Sequence, residues 1–383
     1  MVRTGLEIVL AEGGKRLRGR RVGLLTNQAG VTLHLERNIE ALMAAGVRLT
    51  ALFSPEHGLY GEWSKEDIPS GTDARSGLPL WSLYGAVRRP TPEMLAEVDV
   101  LVVDLQDIGS RYYTLASTLG ETMAAANAVG KGVMVLDRPN PIGGVELDGN
   151  VLDRRFRSFV GCAAIPARHG LTLGEMARWL TSEEGITCPL EVVPMAGWRR
   201  SMVWDDTGLP WVAPSPNATS PRMALLYPGT CLIEGTNLSE GRGTPFPFEW
   251  IGAPWIDPFA YADALNALRL SGVAFRPLYS VPSASKHAGQ RCGGVQVHIT
   301  KADSFRPVAT GFALLEVARS LDPEHFQWRC GKEHCTIDLL CGTDTVRRVI
   351  DASVGPVFDE LEAQWTTDRA AFHRESQRHL IYA

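Results

Sequence analysis

"DVLVVDLQDIG" (residues 99–109) starts as a run of Val and Leu and turns polar at Asp104. An apolar run without alternation is typical of a strand that helices cover on both faces, as in a parallel sheet. Similar runs recur along the first half of the chain, separated by helical patterns. This alternation predicts an α/β fold with a mainly parallel sheet and right-handed crossovers. The other predicted strands are "RVGLLTN" (21–27), "VRLTALFSPEHG" (47–58), "PLWSLYG" (79–85), "GVMVLDRPNPIGG" (132–144) and "PLEVVPM" (189–195).

Three regions follow from the change of pattern along the chain. Residues 1–197 carry the alternating strands and helices, with helices predicted at 35–46, in "TPEMLAEV" after the third strand, at 111–129 and at 172–185. Residues 198–256 are rich in Pro, Gly and Trp and have little periodicity, and we interpret them as an irregular connecting segment that lines a cleft. Residues 257–383, with predicted helices at 257–272 and 308–320 and a strand at 293–300, form a smaller α+β domain.

Composition excludes several classes of protein. The 383 residues carry a formal net charge of −5, which gives no basic footprint for nucleic acid. No apolar stretch approaches the ~20 residues that span a bilayer. Seven scattered cysteines and an opening without a signal-peptide pattern predict a reducing, cytoplasmic setting. The spacing of Cys330, His334, Cys335 and Cys341 fits no standard zinc site, so we expect no metal.

Polar clusters end four of the predicted strands. They are "TNQAG" (26–30), "SPEHG" (54–58), "DLQDIGSR" (104–111) and "DRPNP" (137–141). Ligands of open α/β sheets bind at the carboxyl ends of the strands, so these clusters are expected to meet in one crevice. The alternative is that they are caps and turns that tie the loops down.

The residue types of this crevice favour glycoside hydrolysis. Carboxylates dominate it, and glycosidases use one carboxyl group to protonate the leaving oxygen and another at the anomeric centre. The chain contains no G-x-S-x-G, no G-x-G-x-x-G and no P-loop motif, so we expect no nucleotide cofactor. Trp63, Trp81 and Tyr84 could stack on sugar rings, although core packing is the alternative for Trp81 and Tyr84.

Longer motifs resemble a known family. "FSPEHG", "DLQDIGSRYYT", "LDRPNPIGG", "IPARHGLTLGE", "YPGTCLIEGTNLSEGRGTPFPFEWIGAPW" and the closing "RHLIYA" are similar to exo-β-N-acetylmuramidases of the NamZ type, from about residue 20 to 383. The resemblance implies a Rossmann-like N-terminal domain, a smaller C-terminal domain and an active site in the cleft between them. It also implies removal of terminal β-linked N-acetylmuramic acid from the non-reducing ends of peptidoglycan fragments, with Glu56 as the catalytic acid.

Specific roles follow for the remaining candidates. A catalytic acid must keep its proton near neutral pH, which burial achieves; Asp104 and Glu240 are candidates for the second catalytic group. Selection of N-acetylmuramic acid requires a cation for its lactyl carboxylate, preferably an arginine. We expect Arg111 in this role, with Arg242 and Arg168 as alternatives. For each of them the competing interpretation is a structural salt bridge to a nearby Asp. Further expected substrate contacts are His57 (alternatively a turn cap), Asn27, Gln106, Asp107, Tyr112, Arg138, His169, Asn217 and Asn237.

A second class of function fits the same residues, and the shape of the site predicts how the glycan chain is attacked. A two-lobed carbohydrate-binding protein without catalysis would use the same aromatic and amide groups, and it is the rival interpretation. A site closed by the connection 59–78 and by residues 230–256 would be a pocket, which admits a chain terminus and predicts release of single sugar units. The expected partner is this carbohydrate alone, without nucleic acid or membrane, and the sequence gives no oligomeric state.

Overall fold

A large, mainly parallel sheet organises the N-terminal half of the protein. The computed structural model describes residues 1–64, 67–352 and 358–383. Within these residues seven strands form this sheet in the order β3-β4-β2-β1-β5-β6-β9. Each neighbouring pair is parallel except β3–β4, so the predicted sheet is confirmed. The strands are β1 (Arg21–Thr26), β2 (Arg48–Ser54), β3 (Gly71–Thr72), β4 (Pro79–Ser82), β5 (Val100–Asp104), β6 (Gly132–Leu136), β7 (Asp148–Val151), β8 (Pro166–Arg168), β9 (Leu190–Val193), β10 (Trp250–Ala253), β11 (Val273–Ser280) and β12 (Cys292–Ile299).

Helices cover both faces of this sheet, as the continuous apolar strands require. One face packs against the first two helices through Leu6 and Ile39, and the other against the third and fourth through Leu119 and Leu180. Every residue of β5 is buried. The helices are α1 (Gly5–Ala11), α2 (Asn38–Ala44), α3 (Leu115–Ala128), α4 (Leu173–Glu183), α5 (Trp204–Thr207), α6 (Pro221–Thr230), α7 (Pro258–Ala267), α8 (Pro307–Leu321), α9 (Thr336–Cys341), α10 (Thr345–Ala352) and α11 (Phe358–Ser376).

Two local predictions need correction. "TPEMLAEV" forms turns, although Thr91 accepts the hydrogen bond from Met94 that would cap a helix. The next strand begins at Val100, so too few residues remain to repay the cost of nucleating a helix. The segment 198–256 is not wholly irregular either, because it contains α6 and β10.

The smaller sheet is antiparallel, in the order β10-β12-β11, and packs against α7 and α8. α6 crosses α8 at very short range: a Cβ on Gly229 would lie 1.8 Å from the Pro307 carbonyl oxygen. One apolar core is continuous from the large sheet to this smaller one, through residues such as Phe53, Leu226 and Val295. The boundaries at 197 and 256 stay predictions; residues 353–357 of the expected C-terminal domain lie outside the described residues.

The motif "RHLIYA" returns the chain to the N-terminal sheet. The Tyr382 hydroxyl donates to the buried Asp137 carboxylate at 2.7 Å and accepts from the Met195 backbone N–H at 2.9 Å. Asp137 also accepts from Thr172 and from the N–H of Gly174 at the start of α4. Burial raises the pKa of Asp137 to about 6. The end of the second half is therefore bound to the end of β6 in the first.

Cysteine pairing differs from the expectation of free thiols. Cys330 and Cys335 form a disulfide that closes a short hairpin, whereas the other five cysteines are free. Within the three described ranges, no helix is both long and apolar enough to cross a membrane.

Candidate active site

The crevice where the strand order reverses, between β1 and β5, is filled by the protein itself. Asp104, at the end of β5, receives Arg138 Nε at 2.6 Å and Asn38 Nδ2 at 2.6 Å. Asn27, at the end of β1, donates to the Pro214 carbonyl at 3.1 Å. All of these side chains are buried, and each is hydrogen-bonded within the protein. Asp104, Arg138 and Asn27 therefore tie loops down, which is the alternative interpretation of these strand ends.

A second set of buried groups lies beside this crevice. Asp107 accepts from the Gly109 N–H at 2.7 Å, and burial raises its pKa to about 7. His169 Nε2 lies 3.9 Å from the Asp107 carboxylate, while its Nδ1 accepts from the Leu171 N–H, so the neutral ring carries its proton on Nε2. Burial lowers the pKa of His169 to about 3. Gln106 donates to the carbonyl groups of Asp107 and Pro139.

Arg111 is enclosed by the protein, and this environment does not favour its expected role with the lactyl carboxylate, which stays a prediction. Its guanidinium is 1% exposed and donates to four backbone carbonyls, those of Asn150, Ile165, Leu340 and Cys341. Because all the strong acceptors around it are main-chain groups, it binds α9 to the N-terminal half. Both terminal nitrogens are thus occupied, and the Nε–H, which has no hydrogen-bond partner among the described residues, is buried.

The cavity with the best-suited lining lies beyond the end of β2. It has a volume of 220 Å³ and is bounded by the SPEHG turn, the residues before α3, α6 and the segment after it, and α9. Its walls therefore come from both halves of the chain, as expected for a cleft. The lining residues are Glu56, His57, Tyr84, Arg88, Tyr112, Tyr113, Thr114, Phe159, Val160, Ser215, Met223, Tyr227, Cys231, Glu234, Arg242, Phe248 and Leu340.

Glu56 enters this cavity from the turn that ends β2. The Thr114 hydroxyl donates to its carboxylate at 2.6 Å. His57 and Gly58 both have positive φ, +73° and +81°, and a Cβ on Gly58 would lie 2.8 Å from the Trp63 ring. His57 Nδ1 contacts the Trp63 carbonyl at 2.7 Å, so this ring ties the turn down as well as lining the cavity. The turn thus fixes the backbone on which Glu56 stands.

A network of partly buried charges contributes to another part of the cavity wall. Arg242 pairs with Glu234 at 2.6 Å and with Glu240 at 3.1 Å, and Lys286 pairs with Glu240 at 3.0 Å. Glu240 is 2% exposed and lies behind the lining residues, held between two cations. Glu234 lines the cavity, and burial raises its pKa. Of these two carboxylates, Glu234 is the one that a ligand could reach.

Two family models account for nearly the whole chain. The N-terminal model of exo-beta-N-acetylmuramidase NamZ matches residues 22–222, and the C-terminal model matches residues 225–382. The chain belongs to the NamZ family. The resemblance read from its motifs is therefore confirmed.

Relatives of this NamZ chain match it along its full length. It is 42% identical to the peptidoglycan beta-N-acetylmuramidase NamZ of Bacillus subtilis (strain 168), over 100% of this chain and 91% of that protein. A crystal structure of a DUF1343 family protein from Bacteroides fragilis NCTC 9343 has a TM-score of 0.91 and 38% identity, covering 100% of this chain and 99% of that one. A second DUF1343 structure from that organism has a TM-score of 0.79 and 27% identity, with the same coverage.

The other predicted contacts of the NamZ chain divide between the cavity and its surroundings. Tyr112 lines the cavity, but its hydroxyl donates to the Pro228 carbonyl at 2.8 Å. Asn237 bonds the backbone of the 325–327 loop, and Asn217 is half-buried outside the lining. Arg168 lines a different cavity and donates to the Ile142 carbonyl. In the described residues, no group of three His, Cys, Asp or Glu side chains is placed to hold a metal ion.

Among the cavity residues that were not singled out from the sequence, four contact Glu56 or could act on a ligand. Glu234 lies inside the quoted motif "CLIEGTN" and Thr114 inside "RYYT", so the motifs contained them without ranking them. Tyr113 follows Tyr112 directly, and burial raises its pKa well above the usual range. Arg88 stands in the loop after β4, at the same edge of the sheet as Glu56; this position was the one available signal for it. Residues 65 and 66 of the expected closing connection 59–78 lie outside the described residues.

Proposed function

We propose that this protein removes terminal β-linked N-acetylmuramic acid from the non-reducing ends of peptidoglycan fragments, with Glu56 as the group that protonates the leaving oxygen. The observation that carries the proposal is the position of Glu56. It is the carboxylate that the family motif implies as the acid, and it reaches the cavity that both halves of a NamZ chain enclose. Aromatic rings of Tyr84, Phe159 and Phe248 line that cavity and offer faces for a sugar ring.

The second carboxylate is assigned to Glu234. Asp104 is held by Arg138 and Asn38 in the filled crevice, and Glu240 is neutralised by Lys286 and Arg242. Glu234 shares the cavity with Glu56 and keeps a lining position beside Arg242. A carboxylate there can stabilise positive charge at the anomeric carbon or orient the attacking water.

The form of the cavity supports exo-action. Its 220 Å³ is below the ~300–1,000 Å³ of cavities that enclose drug-sized ligands, so it suits one sugar unit and not the interior of a glycan. We therefore expect single N-acetylmuramic acid units as the product, with N-acetylmuramyl-β-1,4-N-acetylglucosamine as the smallest natural substrate. The cytoplasmic location stays a prediction, and the Cys330–Cys335 disulfide removes part of its basis.

The test combines two assays. Nitrophenol should be released from a nitrophenyl β-N-acetylmuraminide, and mass spectrometry of a defined glycan oligomer should show monosaccharide from the first time point. Tight binding of the sugar without nitrophenol release would instead identify a carbohydrate-binding protein. Early internal fragments of several sizes would contradict the pocket and show an endo-acting groove.

A further inference from the structure

N-Acetylmuramic acid differs from N-acetylglucosamine by its lactyl carboxylate, so an enzyme that selects it needs a cation in the right place. We propose that Arg88 binds this carboxylate and determines the specificity for the muramic sugar. The inference rests on the proposed function, because it concerns the substrate of the same cavity. It replaces the role expected for Arg111.

The other arginines near the site are already engaged. Arg111 donates to four backbone carbonyls, and Arg168 lines a separate cavity. Arg242 faces the cavity but forms ion pairs with Glu234 and Glu240, at 2.6 and 3.1 Å. A substrate carboxylate at Arg242 would have to approach two carboxylates of the protein, and like charges at such short range repel. This arginine is therefore poorly suited to an anion.

Arg88 is held differently, by rings instead of carboxylates. Its guanidinium carbon lies 4.5 Å from the centre of the Phe159 ring and 5.5 Å from that of Tyr84. Both rings line the cavity together with Arg88 itself. No carboxylate among the described residues is ion-paired with Arg88, and its side chain is exposed.

This arrangement prepares the guanidinium for an anion. Contact with a ring occupies a face of the planar group, while the N–H donors point outward in its plane and stay available to a bidentate carboxylate. The rings also restrict the long side chain before the ligand arrives, which lowers the entropy cost of binding. Arg88 and Glu56 line the same cavity, so one sugar unit can reach both.

The neighbouring residue provides a matched control. Arg89 has the same charge in the same loop but is absent from the cavity lining, and its guanidinium pairs with Glu121 at 2.6 Å on the surface. A change in net charge or in loop structure should affect Arg89→Ala and Arg88→Ala alike. Loss of a specific contact with the substrate should affect Arg88→Ala alone.

The experiment compares kcat/KM for nitrophenyl β-N-acetylmuraminide with that for the same compound carrying its lactyl acid as a methylamide. Arg88→Ala should lower the value for the acid by about 10- to 100-fold, the usual effect of losing a charge-assisted hydrogen bond. For the methylamide the variant and the wild type should agree within about twofold. Arg88→Lys should recover part of the loss, and Arg89→Ala should behave as wild type.

Several outcomes would overturn the inference. The first is that Arg88→Ala lowers kcat/KM equally for the acid and the methylamide. The second is that the wild type has the same kcat/KM for the acid and the methylamide. The third is that Arg89→Ala lowers kcat/KM for the acid as much as Arg88→Ala does. Failure of the proposed function has another signature, since the wild type would then release no nitrophenol from either compound. In that case calorimetry with free N-acetylmuramic acid still tests the role of Arg88. If Arg88 binds the lactyl carboxylate, the affinity of Arg88→Ala for the sugar should be about 10- to 100-fold lower than that of the wild type.

Discussion

Two groups of carboxylates differ in what surrounds them, although Asp104, Asp137 and Glu56 all stand at strand ends of the same sheet and only Glu234 lies elsewhere, in the turn after α6. Asp104 and Asp137 are enclosed by donors of the protein itself, namely Arg138, Asn38, Thr172, Tyr382 and a backbone N–H. Glu56 and Glu234 face a cavity, and in the part of the chain that the structure describes each carboxylate has one close side-chain partner: Thr114 for the former and Arg242 for the latter.

The comparison teaches that residue type at a strand end does not decide between structure and chemistry. A carboxylate whose lone pairs are satisfied by protein donors stabilises the fold and cannot exchange a proton with a ligand. A carboxylate with a free side toward a cavity can do so. The following changes should separate the two groups, because one group should respond in activity and the other in stability.

The largest expected effect is on activity at Glu56. Glu56→Gln keeps the shape of the side chain and removes the transferable proton, so kcat on the disaccharide should fall by about 10²–10⁴-fold. Thermal unfolding should be nearly unchanged. Glu62→Gln is the control, since Glu62 stands in the same loop outside the cavity lining. Near-native turnover by a folded Glu56→Gln enzyme would remove Glu56 from the mechanism.

Stability should respond at Asp104 instead. Asp104→Ala leaves the buried Arg138 without its ion-pair partner, which should lower the free energy of unfolding by about 3–5 kcal/mol in denaturant titrations. The protein that remains folded should keep its kcat. Asp99, directly before the same strand, pairs with Arg21 on the surface, so Asp99→Ala should lower the free energy of unfolding far less than Asp104→Ala does. A selective loss of kcat in Asp104→Ala would place this residue in the active site after all.

Glu234 should again respond in activity, to a smaller extent than Glu56. Glu234→Gln removes the second carboxylate of the cavity and should lower kcat by about 10²–10³-fold, the size of one lost electrostatic contact in a transition state. Glu249→Gln is the matched control, because this carboxylate lies outside the cavity and faces Arg222 at 3.7 Å. Equal kcat in the two variants would assign Glu234 to structure alone.

The last expected effect is gradual: a pH dependence of stability that originates at Asp107. Its pKa is raised to about 7 by burial, against about 3.9 in an unfolded chain, so between these values the folded protein holds one more proton. Stability from this group is therefore present at low pH and declines as the pH rises to about 7. Asp107→Asn removes the decline: relative to wild type, its free energy of unfolding should increase by about 1.4 kcal/mol per pH unit between pH 4 and 7.

His169 gives the wild type an opposing slope, which makes the difference between the two proteins the quantity to measure. In the folded protein the pKa of His169 is lowered to about 3, against about 6.5 in an unfolded chain. Between these values the unfolded chain therefore binds one proton more than the folded protein does. Stability from His169 therefore rises with pH over much of the range in which that from Asp107 falls. Parallel pH profiles for wild type and Asp107→Asn would show that Asp107 is ionised in the folded protein.

The sequence was sufficient to predict the sheet, because β5 and its neighbours are nearly continuous apolar runs, which indicate strands buried on both faces. It also directed attention to Glu56, since the motif "SPEHG" combines a strand end, a turn and a carboxylate; the residue lines the cavity, and its catalytic role stays a prediction. It failed for "TPEMLAEV", where the capping residue was present but the space for a helix was not.

The arginines show why the rest of the site could not be predicted. Arg111 stands at a strand end and before a helix, as an anion-binding residue would, yet Leu340 and Cys341 from far along the chain occupy its donors. No motif in the sequence around Arg88 marks it as a binding residue. Its environment depends on Phe159, which is distant in sequence and close only in the folded protein. Both outcomes depend on long-range packing, which periodicity and spacing do not encode.

The bond between Tyr382 and Asp137 also sets an order of events during synthesis. The N-terminal sheet can begin to form as soon as its strands leave the ribosome, since domains commonly fold from the N-terminus during translation. The pocket of Asp137 stays open, however, until residues 381–382 arrive, and these follow the whole of the second half. A nascent chain would therefore expose part of its first half to chaperones and proteases until translation reaches the "RHLIYA" motif.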